Sequence, residues 1–275
     1  GKDITYNAKS TGTASGSASS SQDLKAGNVA YFYAWDNANY YDNSKNKYLG
    51  SSQYASLSSP LGVDITSYKS SSSVDAKTAT SSQSLSTKGT VYYADFWGSS
   101  GMDEMLIQAN GANYPAVEPY ARAENYLYIV DAKNLNYLAT SSASSNGAAS
   151  VSQEVTSETA SYLDANAIAD SNNLQARQSA EVSVDDDDEV GLFQVKSYKS
   201  AASVNAKTAS ASQSAKLPSI EDAEYEAKFC GSSGQVDDGE NFVYAQAATD
   251  ADDAQDVVYS AKSASAQTVT ASATQ

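Results

Sequence analysis

The chain has no histidine, and only one cysteine, two methionines and four prolines in 275 residues. Without histidine there is no Ser-His-Asp or Cys-His nucleophile, no common zinc site and no histidine-ligated haem. The lone Cys230 has no partner for an internal disulfide, and its setting reads as that of a buried small hydrophobe. No stretch approaches the roughly eighteen apolar residues of a membrane-spanning helix. No Asn-x-Ser/Thr sequon occurs either. Basic residues are short: 17 Lys and Arg stand against 33 Asp and Glu, a net charge of −16. That balance argues against nucleic acid as a partner and favours solubility and mutual repulsion. The first residue is Gly1 rather than Met, which predicts a removed leader or a longer precursor.

What is abundant is Ser, Thr, Ala and Tyr. Ser and Thr are poor helix-interior residues, so a large helical protein is excluded. Tyr suits a half-buried pleated surface, where the ring packs and the hydroxyl stays wet. One segment occurs twice: Ser67-Tyr68-Lys69-Ser70 through Ser82-Gln83-Ser84 returns as Ser197-Tyr198-Lys199-Ser200 through Ser212-Gln213-Ser214. Its mismatches, such as Asp75/Asn205 and Thr80/Ser210, are near-isosteric. An echo follows with a three-residue slip, from Phe96-Trp97-Gly98-Ser99-Ser100-Gly101 to Phe229-Cys230-Gly231-Ser232-Ser233-Gly234. Tyr6 to Gln22 and Tyr259 to Gln275 form a second related pair, and Tyr128 to Gln153 a looser fifth copy. Gln22, Gln83, Gln153, Gln213 and Gln275 thus recur roughly every sixty residues, within the range of repeat architectures.

The pattern predicts an all-β fold: antiparallel β-sandwich or jelly-roll units built from repeated hairpins, with little helix. Each repeat reads as a small-residue strand, a turn (Ala26-Gly27-Asn28, Lys88-Gly89, Leu217-Pro218-Ser219) and an aromatic strand paired as a hairpin. Thr11 to Ser19 and Thr268 to Thr274 read as small-residue strands. Val29 to Trp35 and Thr90 to Trp97 are apolar on both faces, which predicts central strands with Trp35 and Trp97 in the core. Asp222 to Phe229 alternates, with Ala223, Tyr225, Ala227 and Phe229 facing one way. Asn110-Gly111 and Asn146-Gly147 are hairpin-turn candidates, and Glu158 to Gln178 is read as one or two helical turns. The organisation expected is a β-sandwich region at 1–127, a related region at 128–256, and a C-terminal donor strand at 257–275.

Catalytic residues are not expected. The acidic runs Asp185 to Glu189, Asp237-Asp238-Gly239-Glu240 and Asp250-Ala251-Asp252-Asp253 read as solvated loops, since adjacent strand residues point to opposite faces. Glycosidase chemistry needs two carboxylates held across a cleft, which a contiguous run does not supply. Asp237, Asp238 and Glu240 are the candidate ligands for Ca2+, although the run lacks the alternating ligands of an EF-hand. The Ser/Thr runs at 10–21, 70–73 and 140–145 are candidates for O-linked glycans.

The segment from Thr11-Gly12-Thr13 through Asp23-Leu24-Lys25-Ala26-Gly27-Asn28 to Asn37 resembles the N-terminal portion of TasA/camelysin-type biofilm fibre subunits. Archaeal bundling-pilus subunits likewise pair a small-residue strand with a Leu-Lys-Pro-Gly-Asp-like turn and an alternating strand. Here Ala26 replaces the usual Pro and Asn28 the Asp. The likeness covers about thirty residues of a repeat-rich chain. It implies a jelly-roll subunit of an extracellular filament, joined to identical subunits by donated strands. The repeats imply the same, because an unpaired edge is a template for another chain. The expected location is extracellular, on the cell surface. The alternative is a non-polymerising surface module of the S-layer or adhesin kind that binds calcium or glycan.

Overall fold

The computed structural model describes residues 1–13, 16–42, 47–101, 122–144, 148–171, 174–184, 191–205, 208–220, 224–235, 243–266 and 270–274. Among these the regular elements are strands without a helix, and the pairings are antiparallel. Accordingly, no helix among them is long and apolar enough to cross a membrane.

Two layers are built from hairpins dealt alternately to one and the other. In the first layer β1 (Lys2–Thr13) pairs with the start of β2 (Ser17–Asp42), and the end of β3 (Lys47–Val74) with β4 (Thr78–Lys88). Next come β7 (Asn136–Ser144) with β8 (Ala149–Ala160), β11 (Leu192–Val204) with β12 (Thr208–Ile220), and β15 (Asp256–Ala266) with β16 (Thr270–Thr274). The second layer holds the rest of β2 and β3, then β5 (Thr90–Gly101) with β6 (Arg122–Lys133). It continues through β9 (Tyr162–Ser171) with β10 (Leu174–Val184) and β13 (Tyr225–Gln235) with β14 (Val243–Ala254). Neighbouring hairpins bond edge to edge in both layers.

The duplicated segment is one of these hairpins, and both copies share one register. Tyr68 faces Leu85 and Ser70 faces Gln83; Tyr198 faces Ala215 and Ser200 faces Gln213. The Asp75/Asn205 mismatch sits at the turn. Asp75 Oδ1 accepts from the amides of Lys77 and Thr78 at 2.7 and 2.8 Å, and Asn205 Oδ1 from that of Thr208 at 2.9 Å. A carboxylate and an amide oxygen serve this turn equally.

Four expectations are corrected here. Thr11 to Ser19 is a hairpin rather than a single strand, turning at Gly16, where φ is +85°, with Thr13 facing Ser17, whereas Thr270–Thr274 is a strand as expected. The aromatic strand that follows a repeat is not its hairpin partner but crosses to the opposite layer. At Gly27 to Val29 the chain turns over, with Asn28 at φ 50°, so that Ser20 Oγ donates to Asn37 O at 2.7 Å across the gap. Finally, the described residues of Glu158 to Gln178 are strand on either side of a bend at Ser161 rather than helix, because Leu163, Ala165, Ala167 and Ala169 fill the core at every second residue. The fifth repeat tyrosine is Tyr137, facing Val155 two residues before the Ala139–Gln153 pair, rather than Tyr128. Asn110-Gly111 and Asn146-Gly147 lie outside the described residues. Residues 127 and 128, at the expected boundary, both lie in β6.

Aromatic pairs and glutamines join the layers. Tyr68 meets Phe32 at 4.8 Å, Tyr137 meets Phe96 at 4.4 Å, and Tyr259 stacks on Phe229 at 4.3 Å. The recurring glutamine of each hairpin reaches across: Nε2 of Gln83, Gln153 and Gln213 donates to the carbonyls of Tyr54, Asn166 and Ser179 at 2.9, 3.1 and 2.9 Å. Gln22 does the same to Trp35. The opposite backbone thus supplies an acceptor for each buried Nε2, while Oε1 of Gln83, Gln153 and Gln213 is buried without a partner among the described residues. The conserved spacing of the Phe-x-Gly-Ser-Ser-Gly echo makes room for two further amides. A Cβ on Gly98 would lie 2.7 Å from Asn125 Oδ1, and one on Gly231 2.9 Å from Gln178 Oε1. In the middle of the molecule Lys133 pairs with Thr159 and ties the layers directly. That bond closes a six-strand barrel, β3-β4-β7-β8-β6-β5, with the other strands bonded outside it.

Candidate functional site

The two ends of the first layer differ. β15 lies between β12 and β16 of its own chain, and Tyr259 is buried on Phe229. The segment expected to lack a partner, 257–275, is thus a hairpin whose first arm is bonded to β12, and its tyrosine belongs to the core. Among the described residues β1 pairs with β2 alone, and all twelve of its residues are exposed. Tyr6, across from Leu24, occupies the place that Tyr68 holds across from Leu85, yet Tyr6 is 55 % exposed and Tyr68 only 1 %. The second layer stops one strand short at this end, where its edge is the latter half of β2. Among the described residues four edges are open: β1 and β16 in the first layer, β2 and β14 in the second.

The outer face of the second layer is aromatic. The bulge around Asn28 shifts the phase of β2, so Phe32, Ala34, Asp36 and Ala38 face inward while Tyr31, Tyr33 and Trp35 face out. Trp35 is 56 % exposed, which corrects its expected core position. Trp97 also lies on this outer face, half-buried among neighbours. A row runs across four adjacent strands, Trp35–Tyr54–Trp97–Tyr126. The next row is Tyr33–Ser56–Asp95–Tyr128–Asp164–Glu181. Tyr33 meets Tyr54 edge-on at 5.3 Å, and Tyr128 meets Tyr162 at 5.9 Å.

These rings partly desolvate the carboxylates between them. Burial raises the Asp95 carboxyl above its ordinary range, and burial together with the nearby Glu181 charge raises Asp164. Burial, then the charges of Asp95 and Asp164, pushes the Tyr126 hydroxyl up to about 12. Tyr162 is pushed up to about 12 by burial, then by Glu181 and Asp164. Among the described residues neither aspartate carboxylate has a hydrogen-bonding or ion-pair partner. Lys228, opposite Glu181, already engages Glu226.

The expected calcium ligands Asp237, Asp238 and Glu240 lie outside the described residues, as does the run Asp185 to Glu189. Asp250 to Asp253, expected in a loop, is part of β14, and the pleat puts Asp250 and Asp252 on one face. Their carboxylates come within 4.8 Å of each other and of Glu226. Asp250 accordingly raises the pKa of Asp252. Cys230 faces outward on β13, half-buried, with its sulfur 3.5 Å from Gln246 Nε2, so it is not the core residue expected.

No protein-family model, curated protein or solved structure matches this chain. Its function is therefore argued from its own edges and faces. Sequence reading missed the aromatic face because a run apolar on both sides hides which side is inward.

Proposed function

We propose that the chain is a structural subunit of an extracellular filament of the pilus or biofilm-fibre kind, assembled head-to-tail from identical copies by β-strand pairing. The observation that carries this reading is β1, a complete repeat strand with one hydrogen-bonding edge and one whole face uncovered. Its Tyr6 is the one repeat tyrosine described here without a ring or layer over it. The first layer starts with β1 and ends with β16, ten strand segments in strict alternation: β1, β2, β3, β4, β7, β8, β11, β12, β15 and β16. An even count leaves β16 antiparallel to the β1 of a following copy, so the edges match without a change of direction. Such a contact joins two different edges, does not close, and propagates as a fibre. The resemblance of residues 11–37 to TasA/camelysin-type subunits supports the same reading.

In this form the donor is the N-terminal strand, because β15 and its Tyr259 are committed to their own core. The test is removal of residues 1–13 followed by negative-stain microscopy and circular dichroism. Loss of fibres with β structure retained is the expected result. Fibres of normal length from the shortened chain would overturn the assignment of β1.

A further inference from the structure

The outer face of the second layer is too organised to be an ordinary wet surface. Single exposed tyrosines are common on sheets and need no explanation. Here Trp35, Tyr54, Trp97 and Tyr126 follow one another on four neighbouring strands in direct register. Strands are spaced about 4.8 Å apart, so the row offers one ring per strand over roughly 15 Å. An extended β-1,4-linked pyranose chain advances by close to one such spacing per sugar, and its apolar ring faces stack on aromatic rings. A chain laid along the row therefore meets a ring at each residue.

The neighbouring row defines the charge of the ligand. Asp95 and Asp164 flank Tyr128 on either side, both half-buried and without a cation among the described residues. Glu181 is different, since it accepts from the Tyr162 hydroxyl at 3.2 Å and stands opposite Lys228. Arg177 lies two rows away on β10. Two partly desolvated carboxylates beside an aromatic ring form a setting for an ammonium group, held by charge and by the ring face together.

We propose that this face binds an extended β-linked polysaccharide bearing free amino groups, with Trp35, Tyr54, Trp97 and Tyr126 under the sugar rings and Asp95 and Asp164 on the amines. The site is independent of the fibre edges, because it uses only side chains that point away from both layers and from β1. Bound ammonium groups replace the water that the rings exclude from the two carboxylates.

The probe is a glucosamine hexamer titrated into the full chain and followed by tryptophan fluorescence and calorimetry, with the N-acetylglucosamine hexamer beside it. The deacetylated hexamer is expected to bind and to perturb the tryptophan emission, and the acetylated one to bind at least tenfold more weakly. Trp35→Ala, at an exposed position on an edge strand, is expected to weaken binding roughly five- to tenfold with thermal stability unchanged. The Asp95→Asn, Asp164→Asn pair is expected to erase the preference for the deacetylated sugar. Equal binding of both hexamers overturns the amine assignment. No binding at millimolar sugar, unchanged affinity in Trp35→Ala, or self-association of the chain through this face overturns the platform itself. None of these readouts depends on whether fibres form.

Discussion

The first and last repeat tyrosines, Tyr6 and Tyr259, begin closely related stretches of sequence and have opposite fates. Tyr259 lies on Phe229, and its strand is bonded on both sides. Tyr6 stands in water on a strand bonded along one edge. What separates them is the facing layer, which extends to β13 and β14 at one end and stops short of β1 at the other. Burial in this protein is thus decided by the number of hairpins in each layer rather than by the repeat sequence.

Deleting residues 257–275 attacks the integrated end and should have the largest effect: loss of the cooperative thermal transition, since β12 loses its neighbour and Phe229 its cover. The equivalent loss of residues 1–13 should leave that transition in place. At the level of one side chain, Tyr259→Ala is expected to cost about 3 kcal/mol in urea denaturation, and Tyr6→Ala to stay within about 0.5 kcal/mol. Equal costs would abolish the contrast between the ends. Gln153→Ala, which strips the Asn166 carbonyl of its cross-layer donor, should cost about 1–3 kcal/mol. Gln22→Ala, near the uncovered end, should cost less.

The smallest effect expected is one of pH. Asp95 and Asp164 have raised folded-state pKa values, so folding favours their protonated forms. Their contribution is fully present below the ordinary aspartate range and is lost as pH rises through the raised folded values. Asp95→Asn with Asp164→Asn should flatten that part of the stability–pH profile. An unaltered slope would show that water reaches these carboxylates freely.

Much of the fold was legible in sequence, and the reasons are specific. Antiparallel all-β architecture followed from the Ser/Thr/Tyr composition and from the alternation at Tyr225, Ala227 and Phe229, which are all buried. The recurring glutamines marked real structural equivalents, although their task of crossing between layers needs the facing backbone to be seen. The turn at Asp75 was present in the letters as an Asx signal, but the Ser/Ala run around it gave no reason to break the strand. The outward turn of Trp35 depends on the bulge at Asn28, a one-residue change of phase that periodicity cannot place. The expected Ca2+ ligands Asp237, Asp238 and Glu240 lie outside the described residues; a different acidic group, Glu226 with Asp250 and Asp252, was not legible because it forms only where β13 and β14 are neighbours.

The alternate dealing of hairpins has a consequence for how such a chain changes length. A unit of roughly sixty residues contributes one hairpin to each layer, so its duplication or loss adds or removes two strands from both. Strand direction at the outer edges is then preserved, and the glutamine of each unit still finds a carbonyl opposite it. A gene encoding this architecture can lengthen or shorten by whole periods without altering how its product meets the next molecule.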